Sequence, residues 1–354
     1  MKSPVKNRIL FYFLIFMAHQ TAMAQDYTFS QFWENRTHYN PSFTGLGEGE
    51  LNTLLTYQKL WPKFPGNFST LFFSADLKTY NNYGFGLFVI SGDEGGGFIK
   101  STGAGLSYSW RGYFNKEKGI YFQLGIRGSY QDKRLDFNQY IYSGNLHEIY
   151  GNIFPVTRPM EVNEKQNYWD FSTGFMVHLP WERHYREFMH NYIGFSIHHF
   201  TRPKNNFMEI KQKIPMKLSL QWAGFIRTSL YSLDKKSNLY VCPGLLFENQ
   251  GNKLMSASSF NNFIIGSDLY TDPVFGGVWY SSQLLNSSSE NYKAIIFKIG
   301  LKFTSANKKL TYRLAYSYDM SLGNLANSME GSHEISLNII YKFNAKYKYN
   351  IFSF

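Results

Sequence analysis

The sequence predicts an all-β fold, a transmembrane antiparallel β-barrel of about fourteen strands, and three observations carry that prediction. Segments of about ten residues or more alternate apolar and polar side chains, the length a tilted strand needs to cross a bilayer. The chain opens with an export signal whose apolar core is too short for a spanning helix, and no later run reaches that length either. Hydrophobic residues reach 44% and aromatic residues 19%, yet mean hydropathy is -0.34, so the apolar residues are dispersed rather than gathered in blocks. Lipid offers no partner to backbone N–H and C=O groups, so such a sheet must close. A soluble sandwich is the competing architecture. Strand length, the export signal and the aromatic residues Trp110, Tyr130, Trp169 and Trp181 near strand ends favour the barrel.

The first element, residues 1–24, carries Lys2, Lys6 and Arg8, an apolar stretch over 9–18 and then Ala22-Met23-Ala24. It reads as a secretory signal peptide cleaved after Ala24. No Cys follows the cleavage point, which disfavours a lipoprotein anchor. Residues 25–50 come next. Phe29, Phe32, Trp33, Tyr39 and Phe43 are set among polar residues with neither a helical nor a strand period, and Asn40-Pro41 and Gly45 introduce turns. A segment this aromatic must pack on something: it is either a strap on the periplasmic side of the barrel or a plug or docking element.

Residues 51–343 are the barrel. In the last strand Ile335, Leu337, Ile339, Tyr341 and Phe343 alternate with Glu334, Ser336, Asn338 and Lys342, and Ile340 is the exception. Equivalent alternation predicts strands over 51–57, 67–79, 83–91, 98–114, 119–135, 168–180, 192–202, 216–229, 238–248, 255–270, 274–283, 292–303, 310–321 and 332–343. An even count suits a single-chain bacterial barrel. With the amino terminus in the periplasm, the longer connections face outward and most short ones inward, as outer-membrane barrels require. The inward connection 181–191 is unusually long and charged. The longest connection, 136–167, has aromatic residues and no regular period, and it folds into the lumen or caps the outer mouth, as a plug or as a partner-binding element. Residues 344–354 form a tail.

A net charge of +11 raises nucleic acid as a partner, but the export signal and the scattered basic residues exclude it. Cys242 is the single cysteine, so stability must come from something other than an internal disulfide. Catalytic and metal constellations fail on context, and no enzyme and no cofactor are expected. His198-His199 would lie on opposite faces of one strand. His178, His184 and His190 lack a cysteine or carboxylate cluster, and Asp93-Glu94-Gly95-Gly96-Gly97 reads as a turn. Arg111, Gln123, Arg127, Gln221, Lys298, Arg313 and Asp319 are predicted to face a polar lumen, plugged or conducting.

Two terminal motifs carry a family resemblance. At the amino end stand Gln25, Asp26, Phe29, Ser30, Gln31 and Phe32, then Asn40, Pro41, Phe43 and Gly45. At the carboxyl end stand Tyr316-Ser317-Tyr318-Asp319, then Gly331-Ser332-His333-Glu334-Ile335-Ser336-Leu337, with a weaker match at Gly276-Gly277-Val278-Trp279-Tyr280. This pattern resembles the PorP/SprF family, outer-membrane proteins of the type IX secretion system of Bacteroidetes. Tyr27, where the family usually has Pro, and Ser42-Phe43, in place of its common Ala-Tyr, depart from the pattern without breaking the match. The resemblance implies a non-enzymatic role in secretion and surface anchoring of cargo, including gliding adhesins, through the cargo C-terminal domain. It also implies partners among other type IX secretion or gliding proteins in the periplasm and outer membrane, besides outer-membrane lipid. The motif positions are expected to be structural or partner-binding. A channel or transporter for small solutes is the alternative, and a purely structural scaffold a third reading.

Overall fold

In the computed structural model, which describes residues 26–63, 66, 68–79, 81–136, 146–147, 151–152, 165–184, 187–205, 212–231, 238–251, 259–285, 292–323 and 331–343, fourteen antiparallel strands close into a barrel. The wall strands are β1 (Leu51–Leu60), β2 (Phe68–Lys78), β3 (Tyr83–Glu94), β4 (Ile99–Asn115), β5 (Ile120–Leu135), β8 (Lys165–His184) and β9 (Glu187–His198). They continue with β12 (Lys217–Tyr231), β13 (Asn238–Gln250), β14 (Phe260–Thr271), β15 (Val274–Leu285), β16 (Tyr292–Thr304), β17 (Leu310–Leu322) and β18 (Ser332–Tyr341). Two short ladders lie outside the wall, β6 (Leu146–His147) with β7 (Gly151–Asn152) and β10 (Lys204–Asn205) with β11 (Gln212–Lys213). Each wall strand pairs with its predecessor along the chain, and β1 pairs with β18 from Leu51↔Tyr341 to Leu60↔Ser332. That seam removes the last free edge, the condition lipid imposes.

The faces alternate as the period requires. In β18, Glu334, Ser336 and Asn338 are buried while Ile335 is exposed; in β16, Phe297, Ile299 and Leu301 are exposed while Lys298 is buried. The outward aromatic residues sort to the two rims. Tyr130 and Trp169, 5.4 Å apart, lie toward the strand ends that carry the long connections, and Trp110 and Trp181 lie toward the opposite ends. These are the two girdles expected where a barrel wall meets headgroups.

Several boundaries differ from expectation. The connection expected over 181–191 is mostly strand, since β8 reaches His184 and β9 begins at Glu187; a charged sequence at the rim stays in the ladder because main-chain pairing does not depend on side-chain polarity. The strand expected over 192–202 stops at His198, because His199 and Arg202 take left-handed backbone angles (φ 56° and 47°) that end the pleat. The connection expected over 136–167 gives up its last residues to β8 and contains the β6–β7 ladder. Residues 137–145, 148–150 and 153–164 of that connection, the signal peptide expected over 1–24 and the tail 344–354 lie outside the described residues.

The hydrophobic core lies inside the barrel rather than between layers. One cluster joins Phe43 and Leu46 to Tyr121, Met176, Tyr192, Phe225 and Phe275; the other joins Phe29, Phe32 and Tyr39 to Phe72, Phe88, Leu246, Trp279 and Ile296. Both depend on the segment preceding β1, and that segment is the centre of the molecule.

Candidate functional site

Residues 26–50 run through the lumen from one mouth to the other. Asp26 sits where β9 ends and β12 begins, with Oδ2 2.8 Å from His199 Nε2 and 3.0 Å from Lys217 Nζ. At the far mouth Glu50 Oε2 accepts from the Phe343 N–H at 3.0 Å, and Glu48 pairs with Arg313. The segment expected as a periplasmic strap or a plug runs through the lumen, and its first described residue lies at the mouth with the long connections. The physical reason is the aromatic content: the wall turns Phe72, Phe88, Tyr192, Phe225, Leu246 and Trp279 into the lumen, and against them Phe29, Phe32, Tyr39, Phe43 and Leu46 are buried to 2% exposure or less.

Local chemistry shapes this segment. Arg36–Tyr39 forms a single helical turn, and Pro41–Phe43 a 3-10 turn capped by Asn40, whose Oδ1 accepts from Ser42 N at 2.8 Å and from Ser42 Oγ at 2.7 Å. Proline suits the first position of such a turn because its missing N–H would go unpaired there anyway. The Asn40 amide faces the other way, donating to Gln221 Oε1 at 2.9 Å and to the carbonyls of Phe175 and Phe195 at 3.3 Å. Gly45 then takes φ 71°, a conformation that costs other residues strain, and its N–H donates to Asp76 Oδ2 at 3.0 Å.

The two terminal motifs meet. Glu334 accepts from the Ser30 N–H at 2.7 Å, the Gln31 N–H at 3.3 Å and the Asn35 amide at 3.0 Å. Ser30 Oγ donates to Asp319 Oδ2 at 2.5 Å. The Gln31 amide nitrogen donates to Ser317 Oγ and to the Glu334 carbonyl, both at 3.2 Å, while its oxygen accepts from Ser336 Oγ at 2.6 Å. Phe29 is clasped through its main chain by the Tyr39 hydroxyl, 2.6 Å from its N–H and 3.0 Å from its carbonyl. The barrel's closing strands thus hold the segment by main-chain and side-chain hydrogen bonds at once.

The carboxyl-terminal motifs split by face, as a period of two demands. Ser317, Asp319, Ser332 and Glu334 point inward and are buried. Tyr316, Tyr318 and His333 form an outward cluster, with the Tyr316 hydroxyl 2.7 Å from His333 Nδ1 and the Tyr318 and His333 rings 5.1 Å apart. Gly331 precedes β18 with φ 77°, and its carbonyl accepts from the Trp61 N–H at 3.0 Å.

Of the residues predicted to face the lumen, Arg111, Gln123, Arg127, Gln221, Lys298 and Asp319 are buried there, and Arg313 reaches Glu48. Lys298 Nζ lies 2.7 Å from both Glu34 Oε1 and Asp268 Oδ2, and Trp279 Nε1 donates to Asp268 Oδ1 at 2.7 Å. Asp268 and Glu34 carried no signal in the sequence, because a lone carboxylate in a strand or loop does not announce a partner 30 or 264 residues away. The histidine pair corrects an expectation. His198 and His199 do not lie on opposite faces; both are buried, because the strand ends between them. His198 Nε2 lies 2.8 Å from the Tyr39 carbonyl, and His199 bridges Asp26 and Asp170.

Residues 21–339 match the family model described as type IX secretion system membrane protein PorP/SprF. No curated protein matches the sequence. Among solved structures, the fold is similar to that of a Pseudomonas aeruginosa FadL homologue, at 10% identity and a TM-score of 0.43 over 86% of this chain and 93% of that one. It is also similar to the CymD monoaromatic hydrocarbon channel, at 9% identity and a TM-score of 0.45 over 88% and 92% of the two chains.

Proposed function

The chain belongs to the PorP/SprF family of type IX secretion system membrane proteins, and from that membership we propose a specific role for it. It is a non-enzymatic component of the outer membrane that takes part in secretion and surface anchoring of cargo, gliding adhesins among them, through the cargo C-terminal domain. The observation that supports this reading is the luminal segment. It runs through the lumen from mouth to mouth, tied by Asp26 at one end and Glu48 at the other, an arrangement that favours binding surfaces over a through-path. Such a protein binds and positions without turnover. Residues 1–24 are removed on export, outer-membrane lipid covers the exposed apolar band, and other secretion or gliding proteins contact the periplasmic mouth.

Deletion of the gene in its host, followed by mass spectrometry of surface and medium proteins, tests the assignment. Loss of one or a few surface proteins with the rest of the secreted set intact is the expected result and names the cargo. Loss of every type IX cargo would recast the protein as a core component. An unchanged secreted set would sink the cargo reading and favour a small-solute channel.

A further inference from the structure

A cavity of about 340 Å³ opens at the long-connection mouth, beside the point where Ser30 is held by Asp319. Its size is near the low end of the ~300–1,000 Å³ range of small-ligand clefts, enough for one or two side chains and too small for a folded domain. Among the described residues, the charged side chains that line it are all acidic: Asp26, Asp93, Glu94 and Asp319. Asp26 is already committed to His199 and Lys217. Asp93 and Glu94 make no ion pair among the described residues. Asp319 is only 6% exposed, and while its Oδ2 accepts from Ser30, its Oδ1 has no hydrogen-bond partner among the described residues.

The rest of the lining mixes hydroxyl and amide side chains, Thr28, Gln58, Ser69 and Gln283 among them, with the rings of Tyr27, Phe29, Trp61, Phe68 and Tyr292. The Trp61 ring packs edge-on against Phe68 at 5.8 Å and Tyr292 at 6.1 Å. Trp61 adopts φ 46°, a left-handed angle that a bulky residue avoids unless its surroundings enforce it, and such strain gathers at binding sites. Carboxylates and aromatic faces, with no basic residue in the described lining, repel anions and favour cations. A purely apolar guest would leave the Asp319 oxygen buried and unpaired.

We propose that this cavity binds a basic side chain, an arginine or lysine carried on an extended peptide, with Asp93 and Glu94 at the rim, Asp319 at the base and the Trp61 cluster against the aliphatic stem. The proposal does not depend on the secretion reading, since it concerns the chemistry of one pocket and is measured without cargo.

The test is calorimetric titration of the full-length protein in nanodiscs with Ac-Gly-Gly-Arg-Gly-Gly-amide and with the same peptide carrying citrulline. The arginine peptide is expected to bind, with the neutral citrulline peptide at least tenfold weaker. A combined Asp93→Asn and Glu94→Gln variant, which leaves the Ser30 anchor intact, is expected to weaken binding by tenfold or more while keeping the folded barrel's gel mobility. Equal binding of the two peptides, unchanged binding by the variant, or no heat up to millimolar peptide would overturn the proposal. Methylguanidine binding as tightly as the peptide would overturn its peptide half. None of these outcomes bears on the secreted set of a deletion strain, so the two readings fail separately.

Discussion

At Lys298 one ammonium is shared by Glu34 on the luminal segment and Asp268 on β14, with all three side chains 7% exposed or less. Burying charges is costly, and the arrangement holds because each lies within hydrogen-bond distance of its opposite. Removing the cation leaves two carboxylates facing each other away from water. Lys298→Met is therefore expected to destabilise the protein by about 3–5 kcal/mol, read as a lower temperature for the heat-dependent gel shift of the barrel. Adding Glu34→Gln to that variant should restore part of the loss, and the double-mutant cycle would report the coupling. If Lys298→Met melts like the parent, the triad contributes nothing to stability. Period two was enough to place Lys298 inside; its partners come from residues far away along the chain and could be named only once the barrel had closed.

At the scale of elements, the turn at Pro41–Phe43 rests directly on the wall. Gly125 of β5 and Gly174 of β8 are cross-strand partners. A Cβ at Gly125 would collide with the backbone of Pro41 and Ser42, and one at Gly174 would collide with the Asn40 side chain. The sequence shows these glycines only as small members of the polar face. Their role in seating the turn becomes visible when the segment is laid against them. Gly125→Val is expected to unseat the turn at a cost of about 1–3 kcal/mol without opening the sheet, because its main-chain ladder is unaffected. The measurement is limited proteolysis: new cleavage within residues 26–46 with normal gel mobility of the barrel. Protection equal to the parent would refute the seating argument.

At the scale of the whole molecule, the closed wall and its contents are separable. The wall is a continuous hydrogen-bonded ring, and the luminal segment is a guest held by side chains and two mouths of ion pairs. Full-length protein is expected to be silent in planar bilayers. A variant lacking residues 26–46 downstream of its export signal should insert and conduct, because the polar lumen that remains would fill with water. Silence of the deletion variant, with insertion verified, would show that the wall residues close the lumen unaided.

The strand count, the alternation of faces, the luminal placement of Arg111, Gln123, Arg127, Gln221, Lys298 and Asp319, and the pairing of terminal motifs with a family are all legible in the sequence, because period two and strand length are local properties of a chain in a bilayer. What only the tertiary structure decided is where the aromatic amino-terminal segment goes. Its destination depends on which apolar surface is left unburied after closure, and that surface is assembled from Phe72, Phe88, Leu246, Trp279 and others scattered over most of the chain. The same holds for Glu334 receiving Ser30 and Gln31 across some three hundred residues, and for His199 turning inward beside Asp26. Local pattern determines which way a side chain faces; only closure of the ring determines what it meets there.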